Sequence, residues 1–205
     1  MHISEQQHWD KVYSTKAEDK LSWFQHYPKT SMELVELFNL PLDANIIDIG
    51  GGDSHFVDAL IDKGYQNIWV LDISAKSIAR AKQRLGERAS NVQWIVSDVT
   101  EFQPPAQFDF WHDRAAFHFL TTENKIYKYV SIAENAIKKD GHLILGTFSE
   151  NGPSNCSGLD IKQYSEASMS ARFEVAFDRI KCNEEDHTTP YNTIQNFLFC
   201  SFQKK

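Results

Sequence analysis

Short apolar runs alternate with longer amphipathic segments through most of the chain. The apolar runs have the length of buried strands, and five of them are predicted: Asn45–Ile49, Asn67–Asp72, Val92–Val96, residues 108–112 and residues 142–148. Helical spacing of apolar residues follows three of these runs, over residues 54–63, after Ser74 and after Thr122. Because strands and helices alternate with short links, we expect a mainly parallel sheet with helices on both faces.

The N-terminal part of the chain departs from this alternation. Residues 30–40 have the spacing of an extra helix before the first strand, with Thr30 and Glu33 placed as a capping box. Residues 8–27 are rich in aromatic side chains and show no clear periodicity. We therefore expect an N-terminal aromatic arm over residues 1–28 and a single domain over residues 29–205.

The chain closes with a pattern that differs from another strand–helix unit. Two β-like runs, residues 173–182 and 193–202, are separated by a polar segment, residues 183–192. We expect a hairpin with the polar segment as its loop and with an antiparallel last strand. If the first run is parallel to the core strands, the loop emerges at the sheet edge where those strands end.

The composition limits the classes of function. The 205 residues are 41% hydrophobic, which is enough for one globular core. Acidic residues outnumber basic ones by 28 to 21, a net charge of −7, so neither nucleic acid nor an anionic membrane is an expected partner. No apolar run reaches about 18 residues and the N-terminus is polar, so neither a membrane helix nor a signal peptide is expected.

The three cysteines, Cys156, Cys182 and Cys200, are too few and too widely spaced to form a disulfide framework. We expect reduced thiols and a cytoplasmic location. A metal site made of Cys156, His187 and Cys200 is conceivable, but the spacing matches no standard zinc pattern. No metal is therefore expected.

The sharpest local signal is the segment from Asp48 to Ser54, which contains Gly50, Gly51 and Gly52 between a predicted strand and a predicted helix. Glycine at this place permits a tight turn and lets a ligand approach the backbone. The helix start behind the turn offers free N–H groups to polar ligand atoms. Glycine-rich turns also join strands to helices for steric reasons alone, so this turn indicates a ligand site only if other residues support it.

Acidic residues at the ends of the next two predicted strands give this support. Asp72, followed by Ile73, ends the second strand 20 residues after Gly52, where a carboxylate can bind both ribose hydroxyls of a nucleoside. Asp98 and Val99 follow the third strand, where an acid and an apolar side chain can bind an adenine ring. Each acid alone could cap a helix, but their order along the chain favours a nucleoside ligand.

This ordered set resembles the class I (Rossmann-like) S-adenosylmethionine-dependent methyltransferase family. The resemblance covers about residues 45–202 and rests on Asp48–Gly52, Asp72, Asp98-Val99, residues 108–114 and residues 140–145. It implies a doubly wound, Rossmann-like α/β fold with a seven-stranded sheet, mostly parallel, whose last strand is antiparallel. It also implies S-adenosylmethionine as methyl donor and S-adenosylhomocysteine as product. The donor is expected against Asp48, Gly50, Gly51, Gly52, Asp72, Ile73, Asp98, Val99 and Asp113.

The aromatic arm has a narrower resemblance. Residues 8–13 and 21–24 are similar to the openings of eukaryotic methyltransferases that act on lysines of elongation factor or citrate synthase, and of small bacterial relatives. Tyr13 and Trp23, together with Trp9 and Phe24, could close over the donor. They could equally clamp the arm onto the core, and both interpretations stay open.

Three further residues are candidates for the chemistry. Asp113 and Arg114 end the fourth strand, where contact with donor or acceptor is expected. His187 lies in the predicted loop directly after three acidic residues, which should raise its pKa and would suit a cationic acceptor. We hypothesise that His187 positions or deprotonates the acceptor, with an exposed loop histidine as the alternative. His118, between two phenylalanines, is interpreted as a packing residue.

Methyl transfer needs orientation of the acceptor and exclusion of water more than it needs a catalytic triad. The expected function is therefore methylation of a small molecule or a protein side chain. A non-catalytic donor-binding subunit is one alternative. An NAD(P)-dependent oxidoreductase is another, disfavoured because His55 occupies the place of a third glycine and no Tyr-x-x-x-Lys pair occurs.

Overall fold

A computed structural model describes residues 4–205, so the first three residues of the predicted arm lie outside the described part. A seven-stranded sheet forms its centre, and a short two-stranded ribbon lies outside the sheet. The strands are β1 (Asn45–Ile49), β2 (Asn67–Asp72), β3 (Val92–Val96), β4 (Phe108–Arg114), β5 (Ile137–Phe148), β6 (Asn155–Cys156), β7 (Leu159–Asp160), β8 (Phe177–Thr188) and β9 (Ile194–Lys204).

The strand order in the sheet is β3-β2-β1-β4-β5-β9-β8. Strands β1 to β5 pair in parallel, and β9 is antiparallel to both of its neighbours. The chain leaves β1 towards one edge and returns at β4 towards the other. Because this reversal opens a crevice at the carboxyl ends of β1 and β4, a ligand is expected there. The predicted doubly wound, seven-stranded α/β fold is confirmed.

Helices cover both faces of the sheet. Apolar residues of α2 and α3, including Val35 and Phe56, form one core cluster, and residues of α5 and α6, including Ile126 and Met169, belong to the other. Within residues 4–205, no helix has the length and apolar character needed to cross a membrane. The helices are α1 (Glu5–Thr15), α2 (Lys29–Leu37), α3 (Phe56–Asp62), α4 (Ala75–Leu85), α5 (Glu123–Ala136) and α6 (Glu166–Phe173).

The aromatic arm contains a helix that the sequence pattern did not reveal. Helix α1 starts at a capping box in which Ser4 and Gln7 exchange side-chain and backbone hydrogen bonds. The capping box predicted at Thr30 is wrong, because α2 begins one residue earlier and its N-cap has no side-chain hydrogen bond. The Thr30 hydroxyl instead donates to the Glu185 carboxylate in the C-terminal hairpin.

The C-terminal hairpin was predicted, but its loop was placed too early. Residues 183–188 belong to β8 rather than to a loop, and Phe173 ends α6 rather than starting a strand. Strand β8 lies at the sheet edge and pairs only with β9, so its polar residues can face solvent while the backbone stays paired. The short connection lies at the carboxyl edge of the parallel strands, as expected.

Cys182 and Cys200 are direct partners in the pairing of β8 with β9, and the structure joins them in a disulfide. The expectation of reduced thiols is therefore wrong for this pair, because strand register brought together two residues that are distant in sequence. Cys156 is free and buried. With Cys200 bonded to Cys182, the three-residue metal set considered above is not assembled.

Candidate functional site

The glycine turn leaves β1 and presses its backbone against two acidic side chains. Gly50 has a φ of +69°, a left-handed conformation that favours glycine. A Cβ atom on Gly51 would overlap the Asp48 carboxylate, and one on Gly52 would overlap Ser77 and Asp72. The turn therefore excludes side chains at both positions and leaves its backbone open to a ligand.

Asp72 ends β2 directly behind this turn. Its Oδ2 accepts a hydrogen bond from the Gly52 N–H at 3.0 Å, and its Oδ1 accepts one from the Ser74 N–H at 2.7 Å. Burial raises the pKa of this carboxyl to about 6. Asp72 and the following Ile73 line a cavity of about 510 Å³ in the crevice.

Asp98 and Val99 lie past the end of β3, in a neighbouring compartment. Asp98 Oδ1 accepts hydrogen bonds from the N–H and the hydroxyl of Thr100, which fixes a short turn. Both residues line a cavity of about 440 Å³ together with Ile73 and with Trp9 of α1. An apolar side chain and a carboxylate thus face one small space beside Asp72.

Asp48 in β1 belongs to a buried network that sequence reasoning missed. In the neutral tautomer with its proton on Nδ1, His112 of β4 donates to Asp48 Oδ1 at 2.7 Å. Its Nε2 then accepts from the Ser31 hydroxyl of α2 at 2.8 Å. Asp48 Oδ2 is buried and has no partner among the described residues. The contact could have been predicted only from the register of β1 with β4, which pairs Asp48 with His112.

A third compartment, of about 530 Å³, lies over this network. Asp48, Gly51 and His112 line it from the sheet, and Trp23 and Phe24 line it from the arm. It shares Gly50 with both other compartments. The glycine turn is therefore the common floor of one elongated cleft that runs from Asp98 past Asp72 to Asp48.

The arm forms the aromatic wall of the cleft. The rings of Trp9 and Trp23 lie 5.9 Å apart, nearly perpendicular, and Tyr13 and Phe119 contact the same cluster. Polar bonds fix the arm on α4: the Ser74 hydroxyl donates to Asp10, and Arg80 donates to the carbonyl of Tyr13. Tyr13 and Trp23 therefore line the cleft and also belong to the contacts that hold the arm.

Arg114, the last residue of β4, lines two of the three compartments. Its Nη1 donates to the carbonyl of Trp23 at 3.0 Å, and its guanidinium lies 4.7 Å from the centre of the Phe197 ring. Burial lowers the pKa of Arg114 to about 10, so the side chain still carries its charge at neutral pH.

Comparisons with known proteins agree with this arrangement. A family model described as a methyltransferase domain matches residues 46–141. The eEF1A lysine and N-terminal methyltransferase of Mus musculus is 26% identical over 121 residues, which are 58% of this chain and 17% of that protein. Malonyl-[acyl-carrier protein] O-methyltransferase 2 of Ilyobacter polytropus is 27% identical over 108 residues, 52% of this chain and 40% of that protein. The N-methyltransferase NodS of Bradyrhizobium japonicum, solved with S-adenosyl-L-homocysteine, superposes with a TM-score of 0.72 at 17% identity, covering 95% of this chain and 97% of that one.

In residues 46–141 and in its fold, the chain is similar to class I S-adenosylmethionine-dependent methyltransferases. The matched segment contains the glycine turn, Asp72 and Asp98. The chain spans less than half the length of the two curated relatives. The names of the two curated relatives give different acceptors, so the family alone does not choose an acceptor.

The residues of the cleft fit the donor of this family. Because no side chain fits at Gly51 or Gly52, the backbone there is open to a ligand. Asp48 Oδ2, which has no partner among the described residues, can accept a hydrogen bond from an ammonium group. Asp72 stands where ribose hydroxyls would lie, and Asp98 with Val99 where adenine would lie. These contacts to the donor remain predictions.

Asp113 does not line any compartment of the cleft, although it precedes Arg114. Its Oδ1 accepts from the N–H groups of Ala116 and Phe117, and its Oδ2 accepts from the Tyr129 hydroxyl at 2.8 Å. Burial raises its pKa to about 6. This geometry gives Asp113 the task of holding the turn after β4, and it lends no support to the predicted contacts with donor or acceptor.

His187 is buried within β8 and does not belong to an exposed loop. Its Nε2–H donates to the carbonyl of Ser22 in the arm at 2.8 Å. The expectation of a raised pKa is wrong: burial lowers the pKa of His187, and the nearby Arg114 lowers it further. His187 lies behind the arm, where it lines a separate surface pocket with Phe24, and it is absent from the lining of the cleft.

Proposed function

We propose that this protein transfers a methyl group from S-adenosylmethionine to an acceptor bound between the glycine turn and the aromatic arm. The observation that carries the proposal is the continuous cleft with a common floor at Gly50 and an acidic residue at each of three strand ends. The comparisons support the same reaction, since relatives of different acceptor class share this domain.

Each part of the cleft has a separate task in this reaction. Asp98 and Val99 would bind the adenine, Asp72 the ribose hydroxyls, and Asp48 Oδ2 the ammonium group of the donor. The bound donor would supply a methyl group that is already activated by the positive charge on sulfur. The aromatic wall of Trp9, Trp23 and Phe119 would exclude water from the acceptor, so that its lone pair meets the methyl carbon in line.

The acceptor is a small molecule or one side chain of a protein presented at the open end of the cleft. Neither nucleic acid nor a membrane is an expected partner. The cytoplasmic location expected from the sequence remains a prediction. The Cys182–Cys200 bond bears on that prediction, because structural disulfides are rare in the cytosol of most organisms.

Donor binding is tested first by calorimetry and thermal shift with S-adenosylhomocysteine, with NAD and NADP as comparison ligands. A ligand at 100 times its dissociation constant stabilises the folded state by about 2.7 kcal/mol, which corresponds to a rise of several degrees in Tm. A shift with NAD and none with S-adenosylhomocysteine would contradict the proposal.

Turnover is tested by transfer of a labelled methyl group to cell lysate that is separated into protein and small-molecule fractions. The fraction that becomes labelled assigns the acceptor class. Binding of S-adenosylhomocysteine without label in either fraction would favour the non-catalytic subunit.

A further inference from the structure

Arg114 is the only lysine or arginine that lines the cleft among the described residues. Within residues 4–205, no carboxylate oxygen lies within 4.0 Å of its nitrogens. Its Nε is buried and has no hydrogen-bond partner there. Withdrawing a cation from water without a counter-ion costs free energy, so this arrangement indicates an anion that a ligand brings.

Among the described residues, no carboxylate of the hairpin forms a direct ion pair with Arg114, although the charge of Glu185 raises the pKa of Arg114. Glu185, which acts most strongly on Arg114 among the carboxylates, accepts a hydrogen bond from Thr30. Asp186 is exposed and accepts from Asn196. None of these carboxylates lines the cleft. The acidic residues around His187 therefore supply no charge to the cleft that would bind a cationic acceptor.

The remaining surface near Arg114 is mainly aromatic. Trp9, Trp23 and Phe119 line the same compartment as Arg114, together with the buried Cys156 and, on the donor side, Asp72. Trp9 meets Trp23 and Phe119 edge to face, at 5.9 and 5.0 Å between ring centres. Such a wall packs well against a planar ring, and Arg114 at its end can bind a carboxylate through two parallel N–H bonds.

We propose that the acceptor is a small aromatic molecule that bears a carboxylate, and that Arg114 pairs with this carboxylate beside the methyl donor. This inference rests on the proposed methyl transfer. In the reaction, an oxygen, nitrogen or sulfur atom of the acceptor forms the bond to the methyl carbon. The carbon–sulfur bond of the donor breaks with its electron pair on sulfur, and the proton of the acceptor group leaves to solvent. Arg114 holds the acceptor and exchanges no proton.

The inference is tested with matched pairs of probes that differ only in the carboxylate. Suitable pairs are 2-hydroxybenzoate and phenol, 2-mercaptobenzoate and thiophenol, and 2-aminobenzoate and aniline, with a lysine-containing peptide as the cationic probe. Binding to the protein saturated with S-adenosylhomocysteine is measured by ligand-observed NMR and calorimetry. We expect the carboxylated member of at least one pair to bind about 10-fold more tightly than its partner. Equal binding within every pair, or tighter binding of the lysine peptide, would overturn the inference.

Variants of Arg114 identify the group that makes the contact. Arg114→Gln should abolish the preference for the carboxylated probe, and Arg114→Lys should keep part of it. Arg179→Gln is the matched control, because Arg179 pairs with Glu166 on the outer surface and should change nothing. A preference that survives in Arg114→Gln would contradict the role of Arg114.

The donor also carries a carboxylate, so the source of the anion needs its own measurement. The affinities for S-adenosylhomocysteine and for 5′-methylthioadenosine, which lacks the amino-acid part, are compared in Arg114→Gln and in the unchanged protein. We expect both affinities to stay within about threefold. Loss of S-adenosylhomocysteine binding with intact methylthioadenosine binding would assign Arg114 to the donor and overturn the inference. Failure of the unchanged protein to bind either nucleoside would instead contradict the proposed methyl transfer itself.

Discussion

The cleft has a donor half, which contains Asp48, Asp72 and Asp98, and an acceptor half, which contains Arg114 and Trp23. The two halves are built in different ways. In the donor half, acidic side chains bind backbone groups two residues further on, as Asp72 does with Ser74 and Asp98 with Thr100. In the acceptor half, the fixing contacts join distant parts of the chain: Arg114 and Trp23 are 91 positions apart, and His187 and Ser22 are 165 apart. The first half is thus specified by local sequence, and the second depends on how the arm docks.

The two halves also differ in charge. Acidic residues line the donor half, among them Asp48, Asp72 and Asp98, and burial raises the pKa of Asp72 there to about 6. The acceptor half has Arg114 as its charged group, and behind the arm lies a histidine whose pKa burial lowers. An acidic half suits a ligand with hydroxyl and ammonium groups, whereas the other half suits an anion.

Removal of residues 1–24 should have the largest effect, because the arm contributes to both halves. Trp9, Tyr13 and Trp23 would be lost from the wall, and burial of one large apolar side chain contributes about 1.5–3 kcal/mol. We expect affinity for S-adenosylhomocysteine to fall by at least about 100-fold, measured by calorimetry. Circular dichroism should still show a folded core, since β1 begins only at Asn45.

The control for the truncation is Gln6→Ala, a change on the exposed side of α1 that should leave donor affinity unchanged. Full affinity in a folded truncated protein would mean that the arm only covers the site. An unfolded product would show instead that the arm is part of the domain, which would contradict the predicted boundary at residue 28.

Asp72→Asn should have an intermediate effect, confined to the donor half. We expect donor affinity to fall by about 1–3 kcal/mol, because a charged acceptor of ribose hydrogen bonds is lost. In the unchanged protein, the raised pKa of Asp72 means that its carboxylate gains a proton as the pH falls through about 6. Affinity for S-adenosylhomocysteine should therefore be constant above about pH 7 and decrease below pH 6. In Asp72→Asn this decrease should disappear.

Asp53 provides the matched control for this pH dependence. Its pKa is also raised to about 6, mainly by burial, and it lines the neighbouring compartment. Asp53→Asn should keep the decrease in affinity below pH 6. If Asp53→Asn removes the decrease and Asp72→Asn retains it, the titrating group is not the ribose acid.

Sequence reasoning succeeded where the determinants are local. The alternation of apolar runs predicted the sheet, and the glycine turn, Asp72 and Asp98 were found because each lies at or just past the end of a strand. Asp113 and Arg114 were treated alike although successive residues of a strand point to opposite faces. Arg114 shares a face with His112 towards the cleft, and Asp113 faces Tyr129.

The contacts that were missed depend on the pairing of distant segments. The link from Asp48 to His112 requires the register of β1 with β4, and the Cys182–Cys200 bond requires that of β8 with β9. The polar residues of β8 were assigned to a loop because an edge strand can expose polar side chains on its outer face. Amino-acid composition alone does not distinguish a polar loop from an edge strand with polar side chains.

His187→Asn should have the smallest effect, because His187 acts on the cleft only through the arm. Loss of its hydrogen bond to Ser22 should lower stability by about 1 kcal/mol, a decrease of about 2–4 °C in Tm. The lowered pKa of His187 means that the folded state favours the neutral ring. Its contribution to stability is therefore present above about pH 6.5 and is lost as the pH falls below that value, so the unchanged protein should lose more stability on acidification than the variant.

Turnover in the variant should keep its pH profile between pH 6 and 9, with a modestly raised KM for the acceptor. A profile that loses one limb while donor affinity stays intact would restore His187 as a proton acceptor in the reaction.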